Sequence, residues 1–154
     1  MPRTVVAVLA LLGLGLALVQ AGTKDEYFGL NSTRTNCGGN CPGGCDSCPC
    51  GESKDYVNIA AACAKFSGWS QSCCECIVKH ESSGNAHADN ENVGGSYDVG
   101  VWQVNSMNWA SCSGGKPPCD EGTNLECAKK VFAWGGNTWK LWSTCGGCDC
   151  CHRA

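Results

Sequence analysis

Two acidic side chains, Glu81 and Asp98, stand in sequence contexts that would give them different chemistry. Glu81 follows a short apolar stretch, whereas Asp98 follows a Gly- and Ser-rich turn. Apolar surroundings raise the pKa of a carboxyl group, and polar, hydrogen-bonded surroundings favour its ionised form. Two carboxyl groups whose pKa values differ in this way can do acid and base work at one glycosidic bond. Four amide side chains flank Asp98 along the chain: Asn90, Asn92, Gln103 and Asn105.

The 16 cysteines offer a competing chemistry. Their even number permits up to eight disulfides in a secreted chain. Zinc binding is the alternative, because three Cys-x2-Cys pairs have ligand-like spacing and His152 follows Cys151. These pairs are Cys45 with Cys48, Cys73 with Cys76, and Cys145 with Cys148. The cellular compartment of the protein decides between disulfides and zinc binding.

The N-terminus predicts secretion. Arg3 precedes an apolar run from Val5 to Val19, and small residues at Val19 and Ala21 fit a signal-peptidase site. We therefore expect residues 1–21 to be a signal peptide that is cleaved after Ala21. The run is short for a membrane span, so an uncleaved anchor is the less favoured alternative. This interpretation places the protein outside the cell or in a phagosomal or lysosomal lumen and favours disulfides over zinc.

The net charge of the chain limits the classes of partner that we expect. The chain has 11 Lys and Arg against 14 Asp and Glu, a formal net charge of −3, and no basic run. Such a chain gains nothing from the release of counterions on DNA or RNA, so no nucleic-acid partner is expected. We expect a monomer without stable membrane insertion.

A composition change suggests a domain boundary. Residues 22–54 form a cysteine-rich N-terminal segment, and residues 55–154 form the second domain. Five cysteines and five glycines lie between Cys37 and Gly51, which predicts loops held by disulfides. We interpret this stretch as a structural clasp in preference to a sugar-binding module, because it has no aromatic residue. The sequon at Asn31 fits an exposed secreted segment.

Helices and a small sheet must position the two acids. Apolar spacing predicts helices from Tyr56 to Phe66 and from Leu125 to Trp134. A capping box at Ser72 and Glu75 predicts a third helix from Cys73 to about Ser82, which ends with Glu81. Its predicted buried stripe consists of Cys73, Cys76, Ile77 and His80.

The stretch from Asn90 to Asn105 predicts an antiparallel hairpin or a three-stranded sheet. Gly94-Gly95-Ser96 would form a turn, with Asp98 just past it. The Gly-, Pro- and Cys-rich stretch from Cys112 to Cys127 predicts a second loop held by disulfides.

The order of residues around the two acids resembles the active-site segment of the chicken-type (c-type) lysozymes, within the wider lysozyme and lytic transglycosylase superfamily. The 17-residue separation of Glu81 and Asp98 agrees without a gap. Later matches are Cys127-Ala-Lys-Lys-Val and the pair Trp139-x-x-Trp142 before Cys145. The motifs that carry the resemblance are Cys76-Ile-Val-Lys-His-Glu81-Ser82, Ala88-x-Asn90-x-Asn92, Ser96-x-Asp98-x-Gly100-x-x-Gln103-x-Asn105, Trp109 and Cys112.

The resemblance implies that Glu81 is the general acid and that Asp98 is the nucleophile or electrostatic stabiliser of a retaining glycosidase. It also implies that Trp139 packs against Glu81 in the cleft. We assign Trp142 to core packing. The implied substrate-binding residues are Asn90, Asn92, Gln103, Asn105, Trp109 and Trp139.

Further expectations follow from the same resemblance. It implies a disulfide between Cys76 and Cys145. The calcium-binding branch has a cluster of Asp residues before the helix that corresponds to the predicted helix from Leu125 to Trp134, whereas this chain has one Asp between Cys119 and Cys127. We therefore predict no calcium, no other metal and no cofactor. Asn108 stands where a second cleft tryptophan is usual.

We predict an α+β, disulfide-rich, lysozyme-like fold, in which a cleft separates a helical lobe from a small antiparallel sheet. The expected function is secreted, bacteriolytic and antimicrobial hydrolysis of β-1,4 bonds in peptidoglycan or a chitin-type polysaccharide. A lytic transglycosylase is one alternative, because Glu81-Ser-x-x-Asn85 also resembles that group. A non-catalytic sugar-binding protein is the other.

Overall fold

A computed structural model describes residues 33–154; the predicted leader over residues 1–21 and the Asn31 sequon lie outside this range. Within it the chain forms four α-helices and one three-stranded antiparallel sheet, with the strands in sequence order. The helices are α1 (Ile59–Ala64), α2 (Gln71–Glu81), α3 (Trp109–Cys112) and α4 (Glu121–Trp134), and the strands are β1 (Asp89–Glu91), β2 (Tyr97–Val99) and β3 (Val104–Asn105). The α+β prediction is confirmed. None of the described helices has the length and apolarity needed to cross a membrane.

Capping side chains set the helix starts. The Asn58 side chain accepts a hydrogen bond from the Ala61 amide, so α1 begins at Ile59 and is shorter than predicted. Ser70, and not Ser72, caps α2 by accepting from the Cys73 amide. The predicted capping box is therefore wrong: the Glu75 side chain instead accepts from Gln71.

The buried face of α2 differs from the predicted stripe. Cys73 and Ile77 are buried as expected, but Cys74 and Val78 complete the face, and His80 is exposed. Cys74 points inward because it forms a disulfide with Cys63. This rotation leaves Glu81 half-buried at the edge of the core.

The sheet places amide side chains on both sides of Asp98. In the central strand β2, Asp98 lies opposite Asn90 of β1 and Asn105 of β3. Gly94 and Gly95 form the turn before β2 with φ values of 104° and 83°, which are accessible to glycine at little cost. The predicted turn and three-stranded alternative are confirmed.

Helix α4 begins four residues before the predicted Leu125, because the Asp120 side chain accepts from the Thr123 amide. The extra turn contains Asn124, whose side chain is fully buried. Its amide nitrogen donates to the carbonyls of Val99 and Pro118, and its oxygen accepts from the Trp102 amide. Gly100, at φ 82°, passes so close to Asn124 that a Cβ there would clash with it.

The main core is aromatic. Trp139 is fully buried, with its ring 5.0 Å from Trp69, 5.1 Å from Phe132 and 4.8 Å from Trp142. A second, small cluster of buried residues lies in the cysteine-rich module (residues 37–51) and consists of Cys37, Cys41 and Cys45.

All 16 cysteines are paired in disulfides, so the disulfide interpretation is confirmed and the thiolates that zinc would need are not present. Cys50–Cys119 joins the module to the loop before α4. The eight bridges are Cys37–Cys48, Cys41–Cys45, Cys50–Cys119, Cys63–Cys74, Cys73–Cys150, Cys76–Cys148, Cys112–Cys127 and Cys145–Cys151.

The predicted Cys76–Cys145 pairing is wrong. Cys76 bonds to Cys148, and Cys145 bonds to Cys151. The cysteine-rich tail folds back along α2, where Cys150 also bonds to Cys73. The tail adds further cysteines that can pair with Cys76 or Cys145, and the resemblance to the family does not specify how these cysteines pair.

Candidate active site

Glu81 is positioned by the last turn of α2. The chain turns away directly after it, because Ser83 and Gly84 adopt positive φ values of 53° and 81°. The Oε1 atom of Glu81 accepts a hydrogen bond of 2.6 Å from the Thr144 hydroxyl, on the 3₁₀ turn Ser143–Gly146. This bond leaves Oε2 as the oxygen available to carry a proton toward a ligand.

The surroundings of Glu81 raise its pKa above the ordinary value for glutamate. Burial is the largest cause, and the negative charge of Asp98 acts in the same direction. The Thr144 hydrogen bond and the charge of His80 oppose the shift without cancelling it. Glu81 therefore holds its proton to higher pH than an exposed glutamate, as the sequence predicted.

Asp98 lies in a polar setting. The Asn105 amide donates to Oδ1 at 2.7 Å and the Asn92 amide donates to Oδ2 at 2.8 Å, while Asn90 lies at 3.5 Å from Oδ2. The Ser96 hydroxyl accepts from the amides of Asn92 and Asn105, at 3.3 Å each. This network orients the carboxylate and stabilises its negative charge.

Two cavities meet at the acids. One, called here the Trp142-side cavity, has a volume of about 340 Å³ and is lined by Trp142, Val131 and Leu141 in addition to the two acids. The other, called here the Tyr56-side cavity, has a volume of about 580 Å³ and is lined by Tyr56 and parts of the cysteine-rich module in addition to the two acids. Five of the described residues line both cavities: Glu81, Asn92, Asp98, Gln103 and Ser143. Together they form one cleft with the two carboxyl groups at its centre.

The predicted amide residues all reach this cleft. Asn105 lines the Trp142-side cavity, Asn90 lines the Tyr56-side cavity, and Asn92 and Gln103 line both. Gln103 does not bond to Asp98, because its amide nitrogen donates to the carbonyls of Ala88 and Gly100. It holds the chain between β2 and β3, where its own φ is 48°.

The predicted cleft roles of Trp139 and Trp109 require correction. Trp139 has no exposed surface and therefore cannot contact a ligand in the cleft. Trp142 lies in the core, as predicted, and this 5% exposed residue also lines the cavity beside Glu81. Trp109 lines neither of the two cavities, and its ring nitrogen donates to the Val104 carbonyl at 3.0 Å. Placement within the late Trp pair depends on tertiary packing, which spacing does not specify.

Sequence reasoning also missed two residues of the site, one that bonds to Glu81 and one that lines the cleft. Thr144 is a small hydroxyl residue beside a cysteine, and nothing in its local pattern separates it from a loop residue. Tyr56, 61% exposed, was predicted as part of a helix, but it lies before α1 and lines the Tyr56-side cavity.

The chemistry of the cleft is that of carboxyl and amide groups. One cluster with metal-like geometry among the described residues, Cys76, His80 and Cys148, lies elsewhere on α2 and the tail. Its two sulfur atoms are joined in a disulfide and cannot act as thiolate ligands.

Known proteins with similar sequences place this cleft in context. A family model described as "Lysozyme like domain" matches residues 58–144, which include both acids and their amide neighbours. Lysozyme C of Crax fasciolata is 32% identical over 102 residues, which cover 54% of this chain and 78% of that protein. The chain belongs to the lysozyme-like domain family.

Proposed function

We propose that this chain is a secreted glycoside hydrolase that cleaves β-1,4 bonds of bacterial peptidoglycan, with Glu81 as general acid and Asp98 as nucleophile or electrostatic stabiliser. One observation carries the proposal: a half-buried carboxyl group with a raised pKa and an amide-bound carboxylate line the same two cavities. The name of the Lysozyme C relative supports the choice of substrate. The eight disulfides support secretion.

Glu81 would act first, as the proton donor. Because Thr144 donates to Oε1, the proton of the neutral carboxyl group is held on Oε2. Transfer of that proton to the oxygen of the leaving sugar makes this oxygen a better leaving group. The resulting carboxylate then accepts a proton from an incoming water molecule, which restores the neutral acid.

Asp98 would act at the sugar carbon. As the bond to the leaving oxygen breaks, positive charge develops on the ring, and an ionised carboxylate stabilises this charge or forms a covalent bond to the carbon. The amides of Asn92 and Asn105 orient Asp98 by donating a hydrogen bond to each of its carboxyl oxygens. Water then attacks from the side that the leaving group vacated, so the product retains the configuration of the substrate.

The decisive experiment compares Glu81→Gln with the wild type on purified peptidoglycan, with reducing ends as the readout. Loss of the general acid should lower the rate by roughly 10²- to 10⁴-fold. The matched control is Glu126→Gln, an exposed glutamate on α4 that pairs only with Lys129 in the described part of the chain. Its rate should equal that of the wild type.

The products separate the proposal from its alternatives. NMR of the first products should show retained configuration and free reducing ends. Products with 1,6-anhydro ends would identify a lytic transglycosylase. Binding of the polysaccharide without release of reducing ends would identify a non-catalytic sugar-binding protein, and equal rates for wild type and Glu81→Gln would contradict the assigned role of Glu81.

A further inference from the structure

The Tyr56-side cavity has a wall that the family match does not include. The matched residues begin at 58, whereas this wall consists of module residues and Tyr56. From the module come Gly39, Asn40, Pro42 and Gly43. On the opposite side the cavity is continuous with Glu81 and Asp98, so a ligand that spans the acids reaches the module.

This wall is built before a ligand arrives. The buried Asn40 side chain donates to the carbonyls of Gly51 and Ser53 and accepts from the Asn85 amide at 2.9 Å. The carbonyl of Asn40 also accepts from the Asp89 amide of β1, at 2.8 Å. Because these groups are already hydrogen-bonded and the module is cross-linked, binding would require little ordering of the protein.

The lining of the cavity favours an uncharged polar ligand. Three acids, Glu81, Asp89 and Asp98, are among the described lining residues, which include no Lys, Arg or His. A ligand with several carboxylates, such as the peptide stems of peptidoglycan, would find no cationic side chain among these residues to offset its charge. A neutral sugar needs no such partner.

Tyr56 supplies the second requirement for sugar binding. Its ring is 61% exposed and lines a cavity that is otherwise mainly polar. The C–H face of a pyranose ring is apolar and can pack on an aromatic ring, whose amphipathic character also suits a partly wet site. Serine and amide side chains of the same lining, such as Ser83 and Asn90, can bond to sugar hydroxyl and acetamido groups.

We propose that the module wall and Tyr56 form an additional subsite for an uncharged N-acetylhexosamine unit, beyond the sugars that flank the cleaved bond. The inference builds on the proposed function. It makes the cysteine-rich module part of the substrate-binding surface, with Tyr56 as the binding residue that contacts the sugar. Long glycan chains would use this subsite, and short oligomers would not reach it.

The test measures kcat/KM on N-acetylglucosamine oligomers of defined length, short and long, for the wild type, Tyr56→Ala and Tyr56→Phe. The ratio of long-oligomer to short-oligomer kcat/KM should fall roughly three- to tenfold in Tyr56→Ala and stay near the wild-type value in Tyr56→Phe, which keeps the ring. Trp134→Ala is the matched control, since that exposed ring lines neither cavity. An unchanged ratio in Tyr56→Ala would overturn the proposal.

Two further arms separate the possible outcomes. Glycan strands with and without peptide stems should be affected alike by Tyr56→Ala; a loss confined to peptide-bearing strands would overturn the sugar assignment in favour of a peptide. If the wild type hydrolyses neither these oligomers nor peptidoglycan, the proposed function fails; whenever the oligomers are not hydrolysed, calorimetric binding of the long oligomer decides on the subsite. Weaker binding by Tyr56→Ala would support the subsite, and equal binding would overturn it.

Discussion

The Trp142-side and Tyr56-side cavities meet at the same two acids, but their walls are held in place by different forces. On the first side, Trp142 packs on Trp139 and the aromatic core, so burial of apolar surface fixes the wall. On the second side, the module buries only three half-cystines as its own cluster. A segment this small cannot build a sufficient core, and covalent cross-links replace it.

One cleft therefore combines two kinds of rigidity. Loss of packing should damage the whole domain, because the aromatic core joins α2, α4 and the residues after α4. Loss of a cross-link in the module should damage the Tyr56 side selectively. Variants of each wall, of the junction between them and of the residues around the acids can test this difference.

The largest effect is expected from Trp139→Ala. This change removes a fully buried ring that contacts three other aromatic rings, so the free energy of unfolding should fall by about 3–5 kcal/mol. Denaturant titration measures it, with the half-exposed Trp134→Ala as control, expected within about 0.5 kcal/mol of the wild type. Similar losses in the two variants would contradict the packing account.

Removal of the Cys50–Cys119 bridge should have the next largest effect. This bridge joins residues 69 positions apart, and its replacement by two serines should cost about 2–4 kcal/mol of unfolding free energy. Hydrolysis of long oligomers should fall more than that of short ones. The control is replacement of Cys145–Cys151, which closes a separation of only 6 and should leave that ratio unchanged. An equal fall for both oligomers after loss of Cys50–Cys119 would contradict selective damage.

Asp89 joins the module to β1 and should make this junction sensitive to pH. Its carboxylate is 2% exposed, its oxygens lack a hydrogen-bond partner of good geometry among the described residues, and its pKa is raised to about 6. Burial causes the rise, which the Cys50 amide and His87 only partly oppose.

Because the folded-state pKa lies above the unfolded value of 3.8, the folded state binds the proton more tightly, and ionisation destabilises the fold as pH rises from about 4 to about 6. Asp89→Asn cannot ionise. Its free energy of unfolding relative to the wild type should therefore increase by roughly 2–3 kcal/mol between pH 4 and pH 7. Denaturant titration at both pH values measures this, and a difference independent of pH would refute the role of Asp89.

Replacement of an amide residue around Asp98 should lower kcat more when its hydrogen bond to Asp98 is shorter. Loss of Asn92 or Asn105, at 2.8 and 2.7 Å, should lower kcat by about tenfold when either is replaced by alanine. Asn90→Ala should cost less, because that amide lies at 3.5 Å. Steady-state kinetics on a short oligomer gives the order, and a larger loss for Asn90→Ala would contradict the orienting role.

The smallest effect is expected from Thr144→Val. The Thr144 hydroxyl lowers the pKa of Glu81, so its removal should raise that pKa further and move the alkaline limb of the pH–rate profile to higher pH. Thr138→Val, whose hydroxyl donates to the Gly135 carbonyl instead, is the control. A shift to lower pH, or none, would show that this hydrogen bond does not tune Glu81.

Local patterns predicted those parts of the site that local structure determines. The turn at Gly94 and Gly95 fixes the register, so the sequence alone places Asp98 among its amides. The start of α2 differed by two residues because Ser70 and Ser72 compete as caps, and only the fold selects Ser70.

Features that depend on contacts distant in sequence could not be predicted. The tail cysteines are close to one another along the chain, and only the path of the tail selects Cys148 for Cys76. Likewise, Trp139 and Trp142 have the same residue type and similar neighbours, and the geometry of the core decides which one lines the cleft. Thr144 acts through a contact with a residue 63 positions away.

The buried side chain of Asn124 has a mechanical consequence for the cleft. Through its bond to the Val99 carbonyl, one residue past Asp98, it tethers the central strand to α4. A ligand that displaces Asp98 along the strand would therefore strain or break a buried hydrogen bond to α4. Substitutions on the solvent-facing side of α4 should therefore preserve the hydrogen bond from Asn124 to Val99.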